Sequence, residues 1–529
     1  MAQPLLEEVF KTSGVPTHTF VAPSAFPRLR VALRTAGRGV VVEGPSGIGK
    51  TTAVTRALEG IGMAHSAQIL SARVPGNVEY IAELPHTRGF GVVIVDDFHV
   101  LPLSVKNALA DHLKVLADTE DASSKLVIVG INRAGDALVR HAPDLAARID
   151  VLRFEVEPPE KLEKVVRLGE KALNVKLSAA TQIVTAAQGS FYLVQMLSRE
   201  LCLAEEITER EDAQVTVAAP YSSVKHRVMD QQESRFGPVV RKFARGPRFR
   251  PSGRANYLLL LKWLAESHRW DIVLREEIAR HPEHRRSVGQ VVDKGWLASH
   301  ATADDIAEIL HYDTDGKVLS VEDPQLVFYL RNLDWQTFPR TLGFENVELE
   351  HEYDFALSFA GEDRPLANAL NQLLEAEDYV VFYDLNEQAR IVGANIQAFL
   401  APIYASDSRF VIAVLGRMYG EKRWTIFESD QFKERFDDGH VIPIWDKDAL
   451  PSRFDEARNI GYLTFDSAAD PHDEAARLAK IIKDKHTEVM RDTTGSPQIQ
   501  LDIDSAIVAD DPPESAPAPG VADAAAAQR

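Results

Sequence analysis

The sequence predicts an α/β protein of several domains, in which two parallel β-sheets are separated by a mainly helical segment. Between residues 40 and 130, continuous apolar runs suited to strands buried on both faces alternate with amphipathic stretches. The same alternation returns between residues 350 and 490. A length of 529 residues agrees with this division, because it exceeds what one hydrophobic core usually organises.

The composition is that of an ordinary globular chain and argues against several other classes. Hydrophobic residues make up 45% and charged residues 26% of the sequence. The single cysteine, Cys202, excludes a framework of intramolecular disulfides and fits a reducing cytoplasm. No apolar run reaches the length of a membrane span, and the N-terminus lacks the pattern of a secretory signal. We therefore expect a cytoplasmic protein without a membrane partner, and the net charge of −19 disfavours a general nucleic-acid coat.

Residues 44–51 carry the phosphate-binding pattern G-x-x-x-x-G-K-T. An apolar run at 40–42 precedes it and a helical pattern at 52–58 follows it, which is the strand–loop–helix context of a P-loop. Backbone amides and the helix N-terminus would surround the phosphates of ATP or ADP, with Lys50 at the β- and γ-phosphates. The predicted nucleotide-binding residues of this segment are Gly44, Gly47, Gly49, Lys50, Thr51 and Thr52.

A second apolar run, at 91–97, ends in Asp96 and Asp97. Downstream of a P-loop, this pattern predicts a Walker B strand, because the carboxyl ends of parallel strands meet at the ligand-binding edge of the sheet. Asp96 would then share a Mg²⁺ ion with Thr51, and Asp97 would position the attacking water. The first sheet is therefore predicted to be that of a P-loop NTPase.

A third apolar run, at 125–130, precedes Asn132 and Arg133, and the segment 143–148 ends in Arg148. These features resemble the sensor strand and the arginine-bearing segment of AAA and STAND ATPases, the superfamily that includes the NLR-type immune receptors. The resemblance implies that Asn132 or Arg133 touches the γ-phosphate and that Arg148 is an arginine finger acting across a subunit interface. A surface salt bridge is the alternative for Arg148. The segment 187–193 resembles the start of the helical lid of that superfamily, so residues 1–205 are predicted to form the ATPase with its lid.

Residues 206–345 are predicted to be a linker followed by a winged helix. Helical patterns at 257–265, 272–280 and 284–293 precede a hairpin turn signal at 313–316. The resemblance to STAND ATPases implies a regulatory lid over the nucleotide, and Asp323 matches one member of the nucleotide-sensing His-Asp pair of NLR-type proteins. The other interpretation is DNA binding through Arg285 and Arg286. The basic stretch 241–254 is predicted to pair with acidic surface elsewhere, whereas a DNA-binding role would require its Arg248 and Arg250.

Residues 350–490 alternate strand patterns at 353–359, 380–384, 410–415 and 440–445 with helical segments, which predicts a flavodoxin-like sheet. The segments 353–364 and 380–395, the latter with Gly393, resemble the first two strands of a TIR domain and the loop after the second. Trp424 and Glu428 match the W-x-x-x-E pattern of TIR domains that cleave NAD⁺.

That resemblance implies a role in NAD⁺ cleavage for five residues. Glu428 would be the catalytic carboxylate, and Trp424 would stack on a heterocycle of NAD⁺. The remaining expected NAD⁺-binding residues are Phe359, Arg364 and Asp384. The alternative is an ordinary amphipathic helix with a core tryptophan and a solvated acid.

Together these patterns predict a bacterial immune effector in which ATP binding gates self-association through the ATPase and TIR domains. The assembled TIR domain would hydrolyse NAD⁺, release nicotinamide and cause abortive cell death in antiphage defence. The trigger would be a phage protein or another partner protein. The tail 491–529, rich in Ala, Pro, Asp and Ser, is predicted to be disordered. A non-enzymatic TIR scaffold and an ATP-regulated DNA-binding protein are the alternatives.

Overall fold

A computed structural model describes residues 3–45, 47–130, 143–267, 269–347, 351–386, 395–436, 438–448 and 461–492. Asn132, Arg133 and Gly393 lie outside these ranges, as do residues 493–529 of the predicted tail. The predictions made for those positions therefore remain predictions.

The N-terminal sheet has five parallel strands in the order β2-β3-β4-β1-β5. The strands are β1 (Gly39–Glu43), β2 (Ala67–Ser71), β3 (Gly91–Asp96), β4 (Ser124–Gly130) and β5 (Ile149–Arg153). The three central strands are the ones that the apolar runs predicted, since they are covered on both faces. The sequence interpretation missed β2 and β5, because these edge strands are only partly buried and carry polar residues, so they lack a continuous apolar run.

Helices cover both faces of this sheet. They are α2 (Phe26–Arg34), α3 (Lys50–Gly60), α4 (Pro75–Glu83) and α5 (Leu103–Asp118). The short helix α1 (Leu6–Val9) packs instead in the helical layer that follows the sheet. The helix α3 begins at Lys50, two residues earlier than the sequence pattern suggested, and Gly49 precedes it in the left-handed conformation at φ 92°. This start places the N-terminal amides of α3 directly at the P-loop.

A helical layer follows the sheet. Its elements are α6 (Pro159–Leu173), β6 (Val175–Leu177), α7 (Ala180–Ala187), α8 (Phe191–Ala204), β7 (Val215–Val217) and α9 (Tyr221–Arg245). These helices enclose an apolar core together with α1. Ser190 caps α8 by accepting a hydrogen bond from the Leu193 amide at 3.3 Å, so the predicted start of the lid helix is confirmed.

The segment from 256 to 331 has the predicted winged-helix elements. They are α10 (Asn256–Glu266), β9 (Asp271–Val273), α11 (Leu274–Arg280), α12 (Arg285–Asp293), α13 (Trp296–Ala301), α14 (Asp304–Ala307), β10 (Leu310–Asp313), β11 (Val318–Val321) and α15 (Pro324–Arg331). The predicted hairpin pairs β10 with β11, and β9 completes a three-stranded antiparallel sheet. The predicted helix at 272–280 was wrong at its start, where residues 271–273 form a strand. One apolar cluster runs from the P-loop sheet into this segment, so the two pack directly.

The C-terminal domain is a second parallel sheet, in the order β14-β13-β15-β16-β17. Before it lie β8 (Ser252–Gly253), α16 (Phe338–Thr341) and β12 (Asn346–Val347). Its own elements are β13 (Tyr353–Phe359), α17 (Arg364–Glu375), β14 (Val381–Phe382), α18 (Ile396–Pro402), β15 (Ser408–Leu415), α19 (Arg423–Phe432), β16 (Val441–Asp446), β17 (Leu463–Phe465) and α20 (Pro471–Asp492). The predicted flavodoxin-like arrangement is confirmed. The sequence interpretation missed β17, because three residues are too few to show the alternation of apolar and polar residues that indicates a strand.

None of the helices in the described part of the chain combines the length and the hydropathy needed to span a bilayer.

An arginine-rich joint connects the winged-helix segment to the C-terminal domain. We define the joint as residues 248–254 and 286–294 against residues 351–354 and 375–379. At its centre Arg254 pairs with Asp354 at 3.1 Å, and the two side chains are only 4% and 1% exposed. The second carboxylate oxygen of Asp354 accepts from the Val380 amide at 2.8 Å, so this acid is fully engaged.

Further polar contacts surround this buried pair. Arg248 pairs with Asp378 at 2.8 Å, and the guanidinium of Arg250 lies 3.7 Å from the ring centre of Tyr379. From α12, Arg286 pairs with Glu352. The predicted pairing of the basic stretch with acidic surface is confirmed for Arg248 and Arg254. Arg248, Arg250 and Arg286, on which the DNA-binding alternative relied, contact the C-terminal domain instead.

The joint lies at the amino ends of the C-terminal strands. Tyr353 opens β13, and Phe359 closes it six residues later, so the two edges of the sheet are about 20 Å apart. Among the described residues, the contacts of the joint therefore lie at the edge opposite the carboxyl ends of these strands.

Replacing Arg254 by Met should loosen the joint, because the Asp354 carboxylate would stay buried without its counter-ion. Breaking a buried pair in this way costs about 3–5 kcal/mol. Hydrogen exchange of the full-length protein should then become faster in residues 351–354 and 378–380. Lys242→Met is the matched control, since its pair with Asp305 is exposed to solvent. Equal exchange in the two variants would show that Arg254 does not hold the joint.

Candidate nucleotide pocket and active site

A cavity of about 970 Å³ opens at the carboxyl edge of the N-terminal sheet. One side of the cavity is lined by the P-loop, by Asp96 and Asp97 at the end of β3, and by residues between 11 and 23. The winged-helix segment closes the other side with His311, Glu322 and Asp323. The cavity is large enough for a nucleotide. The winged helix therefore lies over the predicted nucleotide site, as the lid interpretation requires.

The P-loop is curled into the shape that its glycines allow. Gly44 has φ 148°, and a Cβ atom there would lie 2.6 Å from the Phe154 carbonyl oxygen, so no other residue fits without movement. Lys50 turns back and donates to the Gly44 and Pro45 carbonyls, each at 2.7 Å. These are bonds that phosphate oxygens would take over. Burial lowers the pKa of Lys50 to about 8, against the opposing effect of Asp96 and Glu322.

Thr51 and Asp96 are brought together as predicted. The Thr51 hydroxyl donates to the Asp96 carboxylate at 2.7 Å, across the gap between α3 and β3. A hydroxyl and a carboxylate in contact are a ligand pair that Mg²⁺ accepts when phosphates and water supply the other oxygens. The residues present therefore fit the predicted Mg²⁺ ion. Thr52 lies one residue further along α3 and also lines the cavity.

Asp97 is held by two residues that the sequence did not single out. Its carboxylate accepts from the Ser71 hydroxyl at 2.9 Å and pairs with Arg73 at 3.1 Å. Arg73 follows the edge strand β2 and lines the cavity. The sequence interpretation missed the contact of Arg73 with Asp97, because it did not predict β2, the strand that positions Arg73.

The lid is tied to the long helix α9. Asp323 caps α15 by accepting from the Gln325 amide, and its other oxygen pairs with Arg235 at 2.9 Å. Arg235 lines the cavity and is a further cation that the sequence interpretation missed. Asp323 itself is where the resemblance placed it, at the cavity.

Arg148 lies apart from the cavity of its own chain. It pairs with Asp118 at 2.7 Å and with Asp144 at 3.4 Å, on the surface beside β5. This is the salt bridge that the sequence interpretation held open as the alternative. A role across a subunit interface stays a prediction.

The second candidate site lies at the carboxyl edge of the C-terminal sheet, around Glu428. The Ser358 hydroxyl, at the end of β13, donates to the Glu428 carboxylate at 2.6 Å. The Tyr419 hydroxyl lies 2.6 Å from the same serine oxygen. Ser358 and Tyr419 are both buried, so they hold the partly buried carboxyl group in one position.

The surroundings of Glu428 favour its neutral form. Burial raises the pKa of Glu428 to about 8, although hydrogen bonds from Ser358 and Tyr404 act in the opposite direction. The negative charge of Asp384 adds to the increase. A carboxyl group with a strongly raised pKa at the ligand-binding edge of a sheet is typical of a functional site.

Phe359, Arg364 and Asp384 meet beside Glu428, as the sequence predicted. Arg364 and Asp384 form a two-pronged ion pair with both distances at 2.9 Å. The guanidinium lies 5.0 Å from the centre of the Phe359 ring, which stacks on Tyr383 at 5.7 Å. Arg364 is thus engaged with Asp384 rather than open to a phosphate.

Trp424 lies in the first turn of α19, one turn before Glu428. Its side chain is outside the described part of the structure, so its stacking role stays a prediction. Ser358, Tyr404 and Tyr419 are the residues of this site that the sequence interpretation missed.

Comparison with known proteins identifies the C-terminal domain. The family model described as TIR domain matches residues 355–482, which run from within β13 into α20 and include Glu428. This part of the chain is a TIR domain. A similar protein is the 3′ cyclic ADP-D-ribose synthase AaTIR of Aquimarina amphilecti, which is 36% identical over 85 residues. These residues are 16% of this chain and 26% of the relative, so the chain spans about a quarter of that protein.

Solved structures are similar to the larger N-terminal part. A RuvB variant of Thermotoga maritima is 16% identical with a TM-score of 0.31, covering 56% of this chain and 90% of that chain. The Aeropyrum pernix ORC1 protein in complex with DNA is 15% identical with a TM-score of 0.31, covering 59% of this chain and 93% of that chain. Scores of this size do not establish a shared arrangement of the elements.

Proposed function

We propose that this protein cleaves NAD⁺ in its TIR domain and that a nucleotide at the P-loop controls the reaction. The observation that carries the proposal is the Glu428 carboxyl group, fixed by Ser358 at the carboxyl edge of the TIR sheet. The name of the similar bacterial protein, a synthase of a cyclic ADP-ribose, supports a substrate that carries an ADP-ribosyl group. NAD⁺ is such a carrier with a good leaving group.

Cleavage of NAD⁺ requires only one carboxylate. The bond to be broken joins C1 of the ribose to the cationic nitrogen of nicotinamide. Nicotinamide leaves as a neutral molecule, so no general acid is required, unlike in ordinary glycoside hydrolysis. The ribosyl group becomes cationic, and a carboxylate beside it lowers the energy of that charge. Glu428 would be this carboxylate, with Phe359, Arg364, Asp384 and Trp424 bordering the NAD⁺ site.

The substrate itself would bring Glu428 into its charged form. Burial raises the pKa of Glu428 to about 8, so without a nearby positive charge the carboxyl group is mostly protonated at neutral pH. The positive pyridinium ring of NAD⁺ would lower that pKa by direct attraction. The released ribosyl cation can then be captured by water, which gives ADP-ribose, or by a nucleophile of the same molecule, which gives a cyclic product.

The path from the P-loop to the TIR domain supports nucleotide control. The winged-helix segment lines the nucleotide cavity with His311, Glu322 and Asp323. The same segment holds the amino edge of the TIR sheet, where Gln290 donates to the Tyr379 carbonyl at 3.2 Å and Lys294 pairs with Glu375 at 3.1 Å. A shift of the lid with nucleotide state would therefore move the TIR domain.

We infer that this movement permits self-association. In an ATP-bound assembly, Arg148 of one copy would act on the nucleotide of the next, and neighbouring TIR domains would complete each other's sites. Tethering raises their effective concentration without new contacts. We propose that the resulting loss of NAD⁺ in an infected cell would halt phage growth, which would be a role in antiphage defence.

The rate of NAD⁺ cleavage should rise with pH. The carboxylate is the active form and its pKa lies above the ordinary value, so kcat/KM should increase through about pH 8 and then level off. The apparent pKa of the kcat profile should be lower than that of the kcat/KM profile, because bound NAD⁺ favours the carboxylate form of Glu428. Nicotinamide release between about pH 6 and pH 9 measures both profiles. Ser358→Ala should move the midpoint upward; a flat profile would exclude Glu428 as the titrating group.

Replacing Glu428 by Gln should lower nicotinamide release by at least about a hundredfold, because the amide cannot stabilise the ribosyl cation. Release is measured on the full-length protein under assembling conditions, with products separated into ADP-ribose and cyclic forms. Asp430→Asn is the matched control, since Asp430 is exposed on the same helix. A Glu428→Gln protein as active as the control would remove Glu428 from the mechanism. An assembled wild type that releases no nicotinamide would favour the non-enzymatic scaffold.

A further inference from the structure

Tyr419 is a buried residue of the TIR site that the proposed reaction does not use. It lies in the short turn Tyr419–Glu421, just before α19 begins, and is 2% exposed. Its hydroxyl oxygen lies 2.6 Å from that of Ser358, near the end of β13. The Thr425 hydroxyl, in the first turn of α19, donates to the Tyr419 backbone carbonyl. Tyr419 therefore ties the helix that carries Glu428 to the strand that carries Ser358.

Tyr419, Ser358 and Glu428 form what we call the hydroxyl chain, and its proton count fixes the direction of its hydrogen bonds. A serine hydroxyl carries one proton, and Ser358 donates it to the Glu428 carboxylate at 2.6 Å. The bond between Ser358 and Tyr419 must then use the tyrosine proton, so Tyr419 donates and Ser358 accepts. Both hydroxyl protons therefore point along the chain toward the carboxylate.

This direction makes Ser358 a stronger donor to Glu428. Hydrogen bonds in a chain polarise one another, so a serine that accepts a bond donates more strongly. A bond to a carboxylate gains more from this polarisation than a bond to the neutral acid, because charge-assisted bonds are the stronger ones. Burial, followed by the negative charge of Glu428, holds the pKa of Tyr419 well above its ordinary value. The tyrosine thus keeps the proton that it donates.

We propose that Tyr419 is a positioning residue for Glu428, which acts through Ser358 to keep the serine proton on the carboxylate. This inference rests on the proposed cleavage of NAD⁺, in which the carboxylate is the active form. Without the tyrosine hydroxyl, Ser358 loses the donor that orients and polarises it. Formation of the carboxylate then requires a higher pH.

Other groups that act on Glu428 lie outside the hydroxyl chain. Among the described residues, and after burial and the Ser358 bond, these are Tyr404, before β15, and Asp384, after β14. The hydrogen bond from Tyr404 lowers the pKa of Glu428, and the charge of Asp384 raises it. Arg364 pairs with Asp384 at 2.9 Å and reduces the effect of that charge. A change at Tyr419 leaves all three side chains in the protein.

The test compares the pH dependence of nicotinamide release by full-length wild type, Tyr419→Phe and Tyr312→Phe, with ATP and Mg²⁺ present. Tyr419→Phe keeps the ring and removes the hydroxyl. Its kcat/KM profile should shift to higher pH by about half a unit, so release near pH 7 should fall about threefold while the plateau at high pH is retained. Tyr312→Phe removes a buried hydroxyl from β10 and should leave the profile unchanged.

Two further comparisons separate hydrogen-bond donation from a structural role. In a Ser358→Ala background, Tyr419→Phe should cause no additional shift of the midpoint, because Tyr419 acts through Ser358. Incorporation of 3-fluorotyrosine at position 419 keeps the shape of the side chain and makes its phenol a stronger donor. This protein should show a midpoint at lower pH than wild type, which a purely structural role would not produce.

The outcomes distinguish this inference from the proposed function. An unmoved midpoint in an active Tyr419→Phe protein, or shifts of Tyr419→Phe and Ser358→Ala that add in full, would overturn the inference and leave the proposed function intact. If Tyr419→Phe does not fold, an unmoved or raised midpoint in the 3-fluorotyrosine protein would overturn it. A wild type that releases no nicotinamide at any pH would overturn the proposed function and this inference with it.

Discussion

The buried positive charge of Lys50 is the constraint on which the arrangement of this protein depends. An ammonium group taken out of water needs a counter-charge or must lose its proton. Within the cavity the candidates are Asp96 on the sheet and Glu322 on the lid, and a bound phosphate would be a third. Glu322 belongs to the winged-helix segment, so a change of counter-charge at Lys50 would act on the lid. The TIR domain is attached to that lid.

A second buried ion pair connects the winged-helix segment to the TIR domain. Arg254 and Asp354 are almost fully removed from solvent and lie at the amino edge of the TIR sheet. Glu428 lies at the opposite edge, so the contact that holds the TIR domain leaves the candidate active site open. This geometry is suited to regulation through the position of the TIR domain rather than through obstruction of its candidate active site. Under the proposed function, the nucleotide would change where the TIR domains stand relative to one another.

The sequence predicted those parts of the molecule that are specified by residues close together in the chain. The P-loop is specified by eight consecutive residues, and the central strands by apolar runs that only a doubly covered sheet produces. Thr51 and Asp96 could be paired in advance because the carboxyl ends of parallel strands all lie along one edge of the sheet. Trp424 and Glu428 were found through a pattern of five residues.

What the sequence could not provide were the partners that meet only through the fold. Ser358 and Tyr419 are 61 positions apart, and nothing local marks either as a support for Glu428. Arg235 and Arg73 reach the nucleotide cavity from elements whose packing no periodicity reveals. The basic stretch at 241–254 was ambiguous for the same reason: its charge was evident, but Asp354 and Asp378, which pair with Arg254 and Arg248, lie 100 and 130 positions further along the chain.

The most direct test of nucleotide control measures nicotinamide release and particle mass in the same sample, with ATP, ADP or no nucleotide. Wild type should assemble and release nicotinamide with ATP and do neither without nucleotide. Lys50→Ala, which lacks the phosphate-binding charge but has an unaltered TIR site, should stay unassembled and inactive throughout. Full-rate cleavage by Lys50→Ala, or by wild type that remains unassembled, would contradict the account.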